Sequence, residues 1–234
     1  MEKQFYGLRH FFDMAEHPSD KWEHYFGIYE KHLAWTGFVS CPLTLVEVGV
    51  QKGGSLDMWG KFLGPWAHII GIDVDPECAK LKYTNPNIKV VIGDQSDPAF
   101  WDKFLLEHPN IDIFIDDGGH FMDQQILTFE KVFPVLGRKR NRGFYFCEDC
   151  HTSYMGYNGG SLNQKSSFIG YSKSLVDCIH RNYWEEMDAE LDARNKLVKD
   201  LTSVHFYDSL VVFEKLGKSE IKRVCPKAYT PGNQ

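Results

Sequence analysis

Five short apolar segments alternate with stretches of helical periodicity between residues 43 and 147. The apolar segments cover Leu43–Val48, His68–Ile72, Ile88–Ile92, Ile111–Ile115 and Phe144–Cys147. The intervening stretches carry apolar residues three and four positions apart, which is the spacing of an amphipathic helix. Because strands that are buried on both faces and alternate with helices form parallel sheets, this pattern predicts a doubly wound α/β fold.

Capping residues mark the ends of two predicted helices. Ser55 is predicted to be the N-cap of the helix after the first strand, and Gly64 with Pro65 is predicted to end that helix. Asp97 followed by Pro98 predicts the start of the helix after the third strand.

The two ends of the chain add to this unit. Aromatic residues at roughly helical spacing in residues 1-40 predict helices that form an N-terminal cap or lid. Residues 151–170 are predicted to be a loop over the carboxyl edge of the sheet, and a charge-rich helix is predicted at about 171–198. Two strand-like runs between Val204 and Glu214 predict an antiparallel hairpin and hence a mostly parallel sheet of seven strands. The predicted divisions are 1-40, an α/β domain over 41-216, and a tail over 217-234.

Composition and charge exclude several classes of protein. With 234 residues and 43% hydrophobic content, the chain is long and apolar enough to bury a large core. A formal net charge of −6 argues against nucleic acid as a partner, because phosphate contacts need a basic face. No apolar run approaches the ~20 residues of a membrane span, and the first residues do not resemble an export signal. The six scattered cysteines are therefore expected to be reduced thiols, without disulfides, in a cytoplasmic protein.

Acidic residues follow two of the predicted strands directly. Asp116 and Asp117 lead into Gly-Gly-His120 after one strand, and Glu148 and Asp149 follow another. If these strands are parallel neighbours, their carboxyl ends place the carboxylates and the imidazole in one crevice, where open α/β sheets bind ligands. A cluster of carboxylate oxygens suits Mg²⁺ or Mn²⁺ better than Zn²⁺. The pattern predicts a divalent metal site beside a base.

A glycine-rich turn joins the first strand to the first helix of this unit. It runs from Glu47 through Gly49 and Gly53 to Ser55, with the spacing Gly-x-x-x-Gly-Gly. This is not the Gly-x-Gly-x-x-Gly fingerprint of dinucleotide-binding proteins, so a nicotinamide dehydrogenase is disfavoured. An acid two residues before the first glycine favours a ligand that carries a positive charge.

Polar residues also end the second and third strands. Asp73 lies where an acid usually accepts hydrogen bonds from ribose hydroxyls. Asp94, together with Gln95, is placed to accept from an adenine amino group. The turn and these residues together predict an adenosine ligand with a positively charged group.

These motifs resemble those of the class I S-adenosylmethionine-dependent methyltransferases, which have a Rossmann-like fold. The similarity is closest to the metal-dependent macrolide and sugar O-methyltransferases of the mycinamicin type. The specific element is Asp-Asp-Gly-Gly-His120 with the downstream Glu148-Asp149. The resemblance implies Mg²⁺ (or Mn²⁺) ligation by Asp117, Glu148 and Asp149, with His120 as the general base. It implies S-adenosylmethionine binding by Glu47, Gly49, Gly53, Ser55, Asp73, Asp94, Gln95 and Asp116.

The predicted reaction is methyl transfer to a sugar hydroxyl, such as that of a rhamnose-type deoxysugar in a glycan or glycoside. Metal coordination would lower the pKa of the hydroxyl, His120 would take its proton, and the alkoxide would attack the sulfonium methyl group. The acceptor is predicted to be a small molecule or glycan, with neither nucleic acid nor membrane as a partner. The resemblance also implies a homo-oligomer.

Two other functions are compatible with the same residues. A catechol-like acceptor would use the same metal and cofactor in a flatter slot. The chain could also be a cofactor-binding module without catalysis. In one form of this alternative the bound cofactor is haem, because Cys147, Cys150 and His151 have the spacing of a haem-attachment motif. We interpret this match as chance.

Overall fold

A mixed sheet of seven strands lies at the centre of a computed structural model that describes residues 6–38, 42–186, 188–217 and 223. The strands are β1 (Thr44–Val48), β2 (His68–Asp73), β3 (Ile88–Ile92), β4 (Ile113–Asp116), β5 (Arg142–Cys147), β6 (Leu201–Phe206) and β7 (Val211–Leu216). Their order is β3-β2-β1-β4-β5-β7-β6. Strands β1 to β5 are parallel, and β7 is antiparallel to both of its neighbours. The predicted fold class is confirmed.

Helices cover both faces of the sheet. The α-helices of the described residues are α1 (Leu8–Asp13), α2 (Glu23–Leu33), α3 (Gly54–Leu63), α4 (Pro98–Glu107), α5 (Met122–Val132), α6 (Phe168–Ser174), α7 (Val176–Ile179) and α8 (Ala189–Leu197). Because side chains alternate along a strand, successive residues pack into hydrophobic cores on opposite faces of the sheet. Leu45 packs with α1, α2 and α3 on one face, whereas its neighbour Val46 packs with α4 to α8 on the other.

The prediction of one helix at about 171–198 is wrong. Instead, α6, α7 and α8 are separate, and a short 3₁₀-helix at Arg181–Tyr183 lies before α8. The side chain of Asp188 accepts a hydrogen bond from the backbone N–H of Leu191 and starts α8 as its N-cap. Helical periodicity continued across this break, and it therefore concealed a local capping signal.

The loop predicted over 151–170 is partly helical. It contains 3₁₀-helices at Cys150–Tyr154 and Gly156–Asn158, and α6 already begins at Phe168. The N-cap of α4 is as predicted, since the Asp97 side chain accepts a hydrogen bond from the Ala99 N–H. The predicted end of α3 is also confirmed, with Gly64 at a φ of 83°.

Strand register brings the two acidic segments together. Strands β4 and β5 are parallel neighbours in which Asp116 pairs with Cys147, so Asp117 and Glu148 leave the sheet side by side. The turn after β1 touches the same point, because a Cβ on Gly49 would lie 1.9 Å from the backbone oxygen of Asp117. Gly49, at a φ of 95°, is therefore required for this close approach.

Some predictions fall at the limits of the description. The tail over 217-234 lies outside the described residues except for Gly217 and Arg223, and the divisions at residues 40 and 216 stay predictions. Cys41 and Cys225 are also outside them, whereas the four described cysteines are unpaired thiols. Among the described helices, none has the length and hydropathy needed to cross a membrane.

Buried His32 should make the folded protein sensitive to acid. Burial, together with the nearby His205 and Lys31, lowers its pKa from 6.5 to about 4. Between these values the unfolded chain binds more protons than the folded one, so stability is lost as the pH falls. From about pH 7 to about pH 5, urea titration should show a loss of unfolding free energy about 1–2 kcal/mol larger in the wild type than in His32→Gln. Equal losses in both proteins would contradict this assignment.

Candidate metal and cofactor site

A cavity of about 780 Å³ opens at the carboxyl ends of the parallel strands. This volume is within the range of small-molecule and cofactor sites. Most of the predicted site residues contribute to its wall: Gly49, Ser55, Asp73, Asp94, Gln95, Asp117, His120, Glu148 and Asp149. The topology therefore gathers residues from five separate strand ends around one space.

Three predicted cofactor residues lie behind the cavity wall. Glu47 and Asp116 are fully buried, and Gly53 is the N-cap of α3 at a φ of 93°. Asp116 accepts hydrogen bonds from Gln95 Nε2 at 2.6 Å and from the Tyr145 hydroxyl at 2.9 Å. Burial raises the pKa of Asp116 to about 6, and the two hydrogen bonds oppose this rise. These residues support the site from behind.

The predicted N-cap role of Ser55 is wrong. Gly53 is the N-cap, and Ser55 is a buried residue within α3. The Ser55 hydroxyl donates instead to Oε2 of Glu47 at 2.7 Å. A buried carboxylate needs such a partner. Burial raises the pKa of Glu47.

Asp73, the last residue of β2, holds the turn after β1. Asp73 Oδ2 accepts hydrogen bonds from the backbone N–H groups of Val50 and Gln51, each at 2.9 Å. Asp73 Oδ1 accepts from the N–H of Asp75. Both of its oxygens are thus engaged by backbone, but Oδ1 accepts only one hydrogen bond and so keeps a lone pair for a ribose hydroxyl.

Asp94 and Gln95, which follow β3, form hydrogen bonds within the protein that the sequence did not indicate. Gln95 donates to Asp116, and its Oε1 accepts from the Gly119 N–H at 3.0 Å, so its side chain bridges β3 and β4. Asp94 Oδ1 accepts from the N–H and hydroxyl of Ser96, which lowers the pKa of Asp94. Adenine recognition by Asp94 and Gln95 stays a prediction.

Within the described residues, the acids form two groups that share Asp117. In one group, ligand atoms of Asp117, His120 and Asp149 all lie within 4.8 Å of one another. In the other, the same limit joins Asp117 to Glu47 and Glu148. Glu148 is turned toward the buried side, whereas the Asp149 side chain is 24% exposed. The structure thus brings Asp117 close to each of the other two predicted ligands.

A buried lysine lies among Glu47, Asp117 and Glu148, which we call the inner group. Lys21 Nζ lies 2.9 Å from Asp117 Oδ2, 2.6 Å from Glu148 Oε1 and 3.6 Å from Glu47 Oε1, with its side chain only 1% exposed. The hydroxyl of Tyr29 also donates to Glu148 Oε1. Burial and the charge of Asp117 raise the pKa of Glu148, and Lys21 opposes this rise. The ammonium group compensates carboxylates that could not otherwise be buried together.

Two residues at the mouth of the cavity have left-handed backbones. His120 has a φ of 57° and Asp149 a φ of 51°, conformations that are uncommon outside glycine. His120 Nε2 lies 3.6 Å from Asp149 Oδ2 and 3.9 Å from Asp117 Oδ1, while its Nδ1 is buried without a hydrogen-bond partner. Backbone strain of this kind concentrates at functional sites.

Curated proteins with related sequences are sugar O-methyltransferases. The 8-demethyl-8-alpha-L-rhamnosyl tetracenomycin-C 2'-O-methyltransferase of Streptomyces olivaceus is 32% identical over 214 residues, which are 87% of this chain and 53% of that protein. The mycinamicin VI 2''-O-methyltransferase of Micromonospora griseorubida is 31% identical over 198 residues, 80% of this chain and 47% of that protein. The chain therefore spans about half the length of the curated relatives that it matches. No family model matches it.

Solved structures agree with this relationship. The MycE methyltransferase from the mycinamycin biosynthetic pathway, in complex with Mg and SAH, has a TM-score of 0.77 and 25% identity, covering 91% of this chain and 55% of that one. The fold of this chain is that of the class I S-adenosylmethionine-dependent methyltransferases. A second MycE structure, which also contains mycinamycin VI, has a TM-score of 0.68 and 26% identity, covering 82% of this chain and 49% of that one.

The sequence interpretation missed how the N-terminal residues contribute to this methyltransferase fold. Tyr25 and Tyr29 are four residues apart and therefore lie on one face of α2, and Lys21 stands two residues before the start of that helix. The aromatic spacing predicts helices of a cap or lid, and Tyr25 and Tyr29 do lie in a helix that packs on the sheet. Their hydroxyls also reach the acidic groups, and the polar ends at this spacing were the signal that could have indicated it.

Proposed function

We propose that this chain is an S-adenosylmethionine-dependent, Mg²⁺- or Mn²⁺-dependent O-methyltransferase that acts on a sugar hydroxyl. The observation that carries the proposal is the convergence of Asp117, Asp149, Glu148 and His120 on one cavity of cofactor size. The acceptor class is supported by relatives whose names specify rhamnosyl and mycinamicin substrates. A rhamnose-type deoxysugar in a glycan or glycoside is the acceptor that we propose.

The donor set fits a hard divalent cation. Asp117, Glu148 and Asp149 offer carboxylate oxygens, which are the ligands that Mg²⁺ and Mn²⁺ prefer. Glu47 Oε1, in the inner group, is buried without a hydrogen-bond partner, and the three carboxylates of this group share a single described ammonium, that of Lys21. When bound, the metal ion would orient the acceptor and lower the pKa of its hydroxyl.

In this proposal His120 is the general base. Its Nε2 takes the proton of the acceptor hydroxyl, so the oxygen can bond to the methyl carbon of the donor while the bond from that carbon to the sulfonium sulfur breaks and the neutral thioether, S-adenosylhomocysteine, leaves. Asp149 and Asp117, which flank Nε2, stabilise the imidazolium that forms. His120, with its left-handed backbone, lines the mouth of the cavity. Alignment of the two substrates in one cavity supplies much of the remaining acceleration.

The cofactor would bind on the side of the cavity formed after β1, β2 and β3. Gly49 allows a close approach of backbone, and Asp73 and Asp94 stand where ribose and adenine groups of the cofactor would lie. Glu47, Gly53 and Asp116 then act as supports of this surface, with Ser55 and Gln95 connecting them to its wall.

Removal of the metal is expected to stop the reaction. With labelled S-adenosylmethionine and a panel of deoxysugar glycosides, we expect transfer in Mg²⁺, background transfer in EDTA, and recovery when excess Mg²⁺ is added. Calorimetric titration with S-adenosylhomocysteine in EDTA should still show binding, because the cofactor surface does not include the acids of the metal site. Full activity in EDTA would contradict the metal role, and transfer to catechols assayed beside this panel, but to none of its glycosides, would contradict the proposed sugar acceptor.

We propose a cytoplasmic location, which the four unpaired thiols of the described residues support, because reducing compartments keep cysteines in this form. The homo-oligomer stays a prediction that sedimentation of the purified chain would test.

A further inference from the structure

Lys21 contacts two of the proposed metal ligands through one oxygen each. It lies against Oδ2 of Asp117 and Oε1 of Glu148, and the Tyr29 hydroxyl donates to the same oxygen of Glu148. No described residue donates a hydrogen bond to Oδ1 of Asp117 or to Oε2 of Glu148. Each of these carboxylates therefore has one oxygen fixed by the N-terminal segment and one oxygen left for another ligand.

Asp149 shows the same division. Its Oδ1 accepts hydrogen bonds from Trp22 Nε1 at 3.1 Å and from the Tyr25 hydroxyl at 2.9 Å, although the one proton of that hydroxyl also has the Ser209 carbonyl oxygen at 3.0 Å as an acceptor. The Tyr25 hydroxyl also accepts the backbone N–H of Asp149 at 3.2 Å and so supports its left-handed backbone. The second oxygen, Oδ2, faces His120 Nε2 at 3.6 Å. Three acids from two strands thus share one arrangement, although their fixed oxygens are held by different side chains.

The segment that holds these oxygens is itself firmly packed. Tyr25 and Tyr29 are fully buried, and the Tyr29 ring packs against Trp59 and Phe146 at centroid distances of 4.9 and 4.6 Å. Upstream, the backbone N–H groups of Glu16 and His17 donate to the buried carboxylate of Asp57. Lys21 and Trp22 are therefore carried on a stretch anchored at both ends.

We propose that Lys21, Trp22, Tyr25 and Tyr29 are positioning residues of the metal site. They hold one oxygen of each acid so that the other is presented to the cation, and the N-terminal segment is thereby part of the metal site rather than a lid alone. This inference rests on the proposed function, since it concerns the same metal. Hydrogen-bond partners of metal ligands typically contribute about 10–100-fold to metal affinity.

The test is calorimetric titration of the full chain with Mn²⁺ alone, with the paramagnetic resonance spectrum of the bound ion as a second readout. Tyr25→Phe and Tyr29→Phe remove only the hydroxyl groups and keep the rings, so we expect the Kd for Mn²⁺ to rise about 10–100-fold and the spectrum to change. Affinity for S-adenosylhomocysteine should be unaltered. Tyr171→Phe is the matched control, because its hydroxyl donates to Glu130 on the other face of the sheet and should not affect Mn²⁺ binding.

Trp22→Phe is a second variant that tests the proposal if a buried tyrosine variant fails to fold. Trp22 is 56% exposed, so its loss should not disturb the core, and it removes the Nε1 donor to Asp149. Mn²⁺ binding with wild-type affinity and spectrum in the folded variants would overturn the positioning role and leave the proposed function intact. A wild-type chain that does not bind Mn²⁺ would overturn both.

Discussion

Replacing Asp117 with Asn is expected to reduce methyl transfer by about 10³-fold or more. Asp117 is the acid shared by both groups at the sheet edge, and its loss would remove a ligand charge while leaving a side chain of equal size. A metal that activates the acceptor is worth several kcal/mol of transition-state stabilisation, and each 1.36 kcal/mol is about tenfold in rate. The measurement is single-turnover transfer from labelled S-adenosylmethionine at saturating Mg²⁺.

Asp123→Asn provides the matched control for this variant. Asp123 is exposed at the start of α5, six residues along the chain, and does not belong to the cavity wall. It should retain wild-type turnover, and both variants should bind S-adenosylhomocysteine with wild-type affinity. Unimpaired turnover by the Asp117 variant would show that Asp117 is not a metal ligand.

Replacing Lys21 with Met is expected to destabilise the metal-free protein by about 3–5 kcal/mol. The substitution keeps a long side chain but removes the positive charge that lies among Glu47, Asp117 and Glu148. A buried carboxylate without a counter-charge lowers the stability of the folded protein. Removal of one partner from a buried ion pair is therefore more destabilising than replacement of both partners by apolar residues. Urea titration in EDTA would measure the loss.

Lys61→Met is the control variant for this stability measurement. Lys61 forms an ion pair with Glu16, but both side chains are partly exposed, at 30% and 47%. A pair of this kind typically contributes about 0–1 kcal/mol, because water screens the charges. Similar losses in the two variants would mean that Lys21 is not the counter-charge of the inner group.

Glu148 and Asp149 are consecutive in the chain but contact different parts of the site. Glu148 faces Lys21 and is buried, whereas its neighbour Asp149 faces His120 at the cavity mouth. The left-handed backbone of Asp149 separates the two directions, and the Tyr25 hydroxyl holds it there. Consecutive acids after a strand can thus serve the inner and outer sides of one centre.

Much of the fold could be predicted from local patterns. Strand β3 was predicted with its observed bounds, and the segments for the other four parallel strands differed by one or two residues at one end or, for β4, at both ends. Apolar runs of this length carry a strong signal because both faces of each strand are buried. The broken helix after residue 174 was missed because the cap at Asp188 lies inside a continuous periodic pattern.

The sequence by itself determined the alternation of strands and helices, and therefore which acids stand at the carboxyl edge of the sheet. Only the tertiary structure decided which oxygen of each acid is held and which is open. Lys21 meets Asp117 and Glu148 across separations of 96 and 127 residues, and Tyr25 meets Asp149 across 124. The spacing of the polar groups indicates that these residues face one way, but it does not identify their partners, because the contacts arise from the packing of the N-terminal segment on a sheet that forms from later residues.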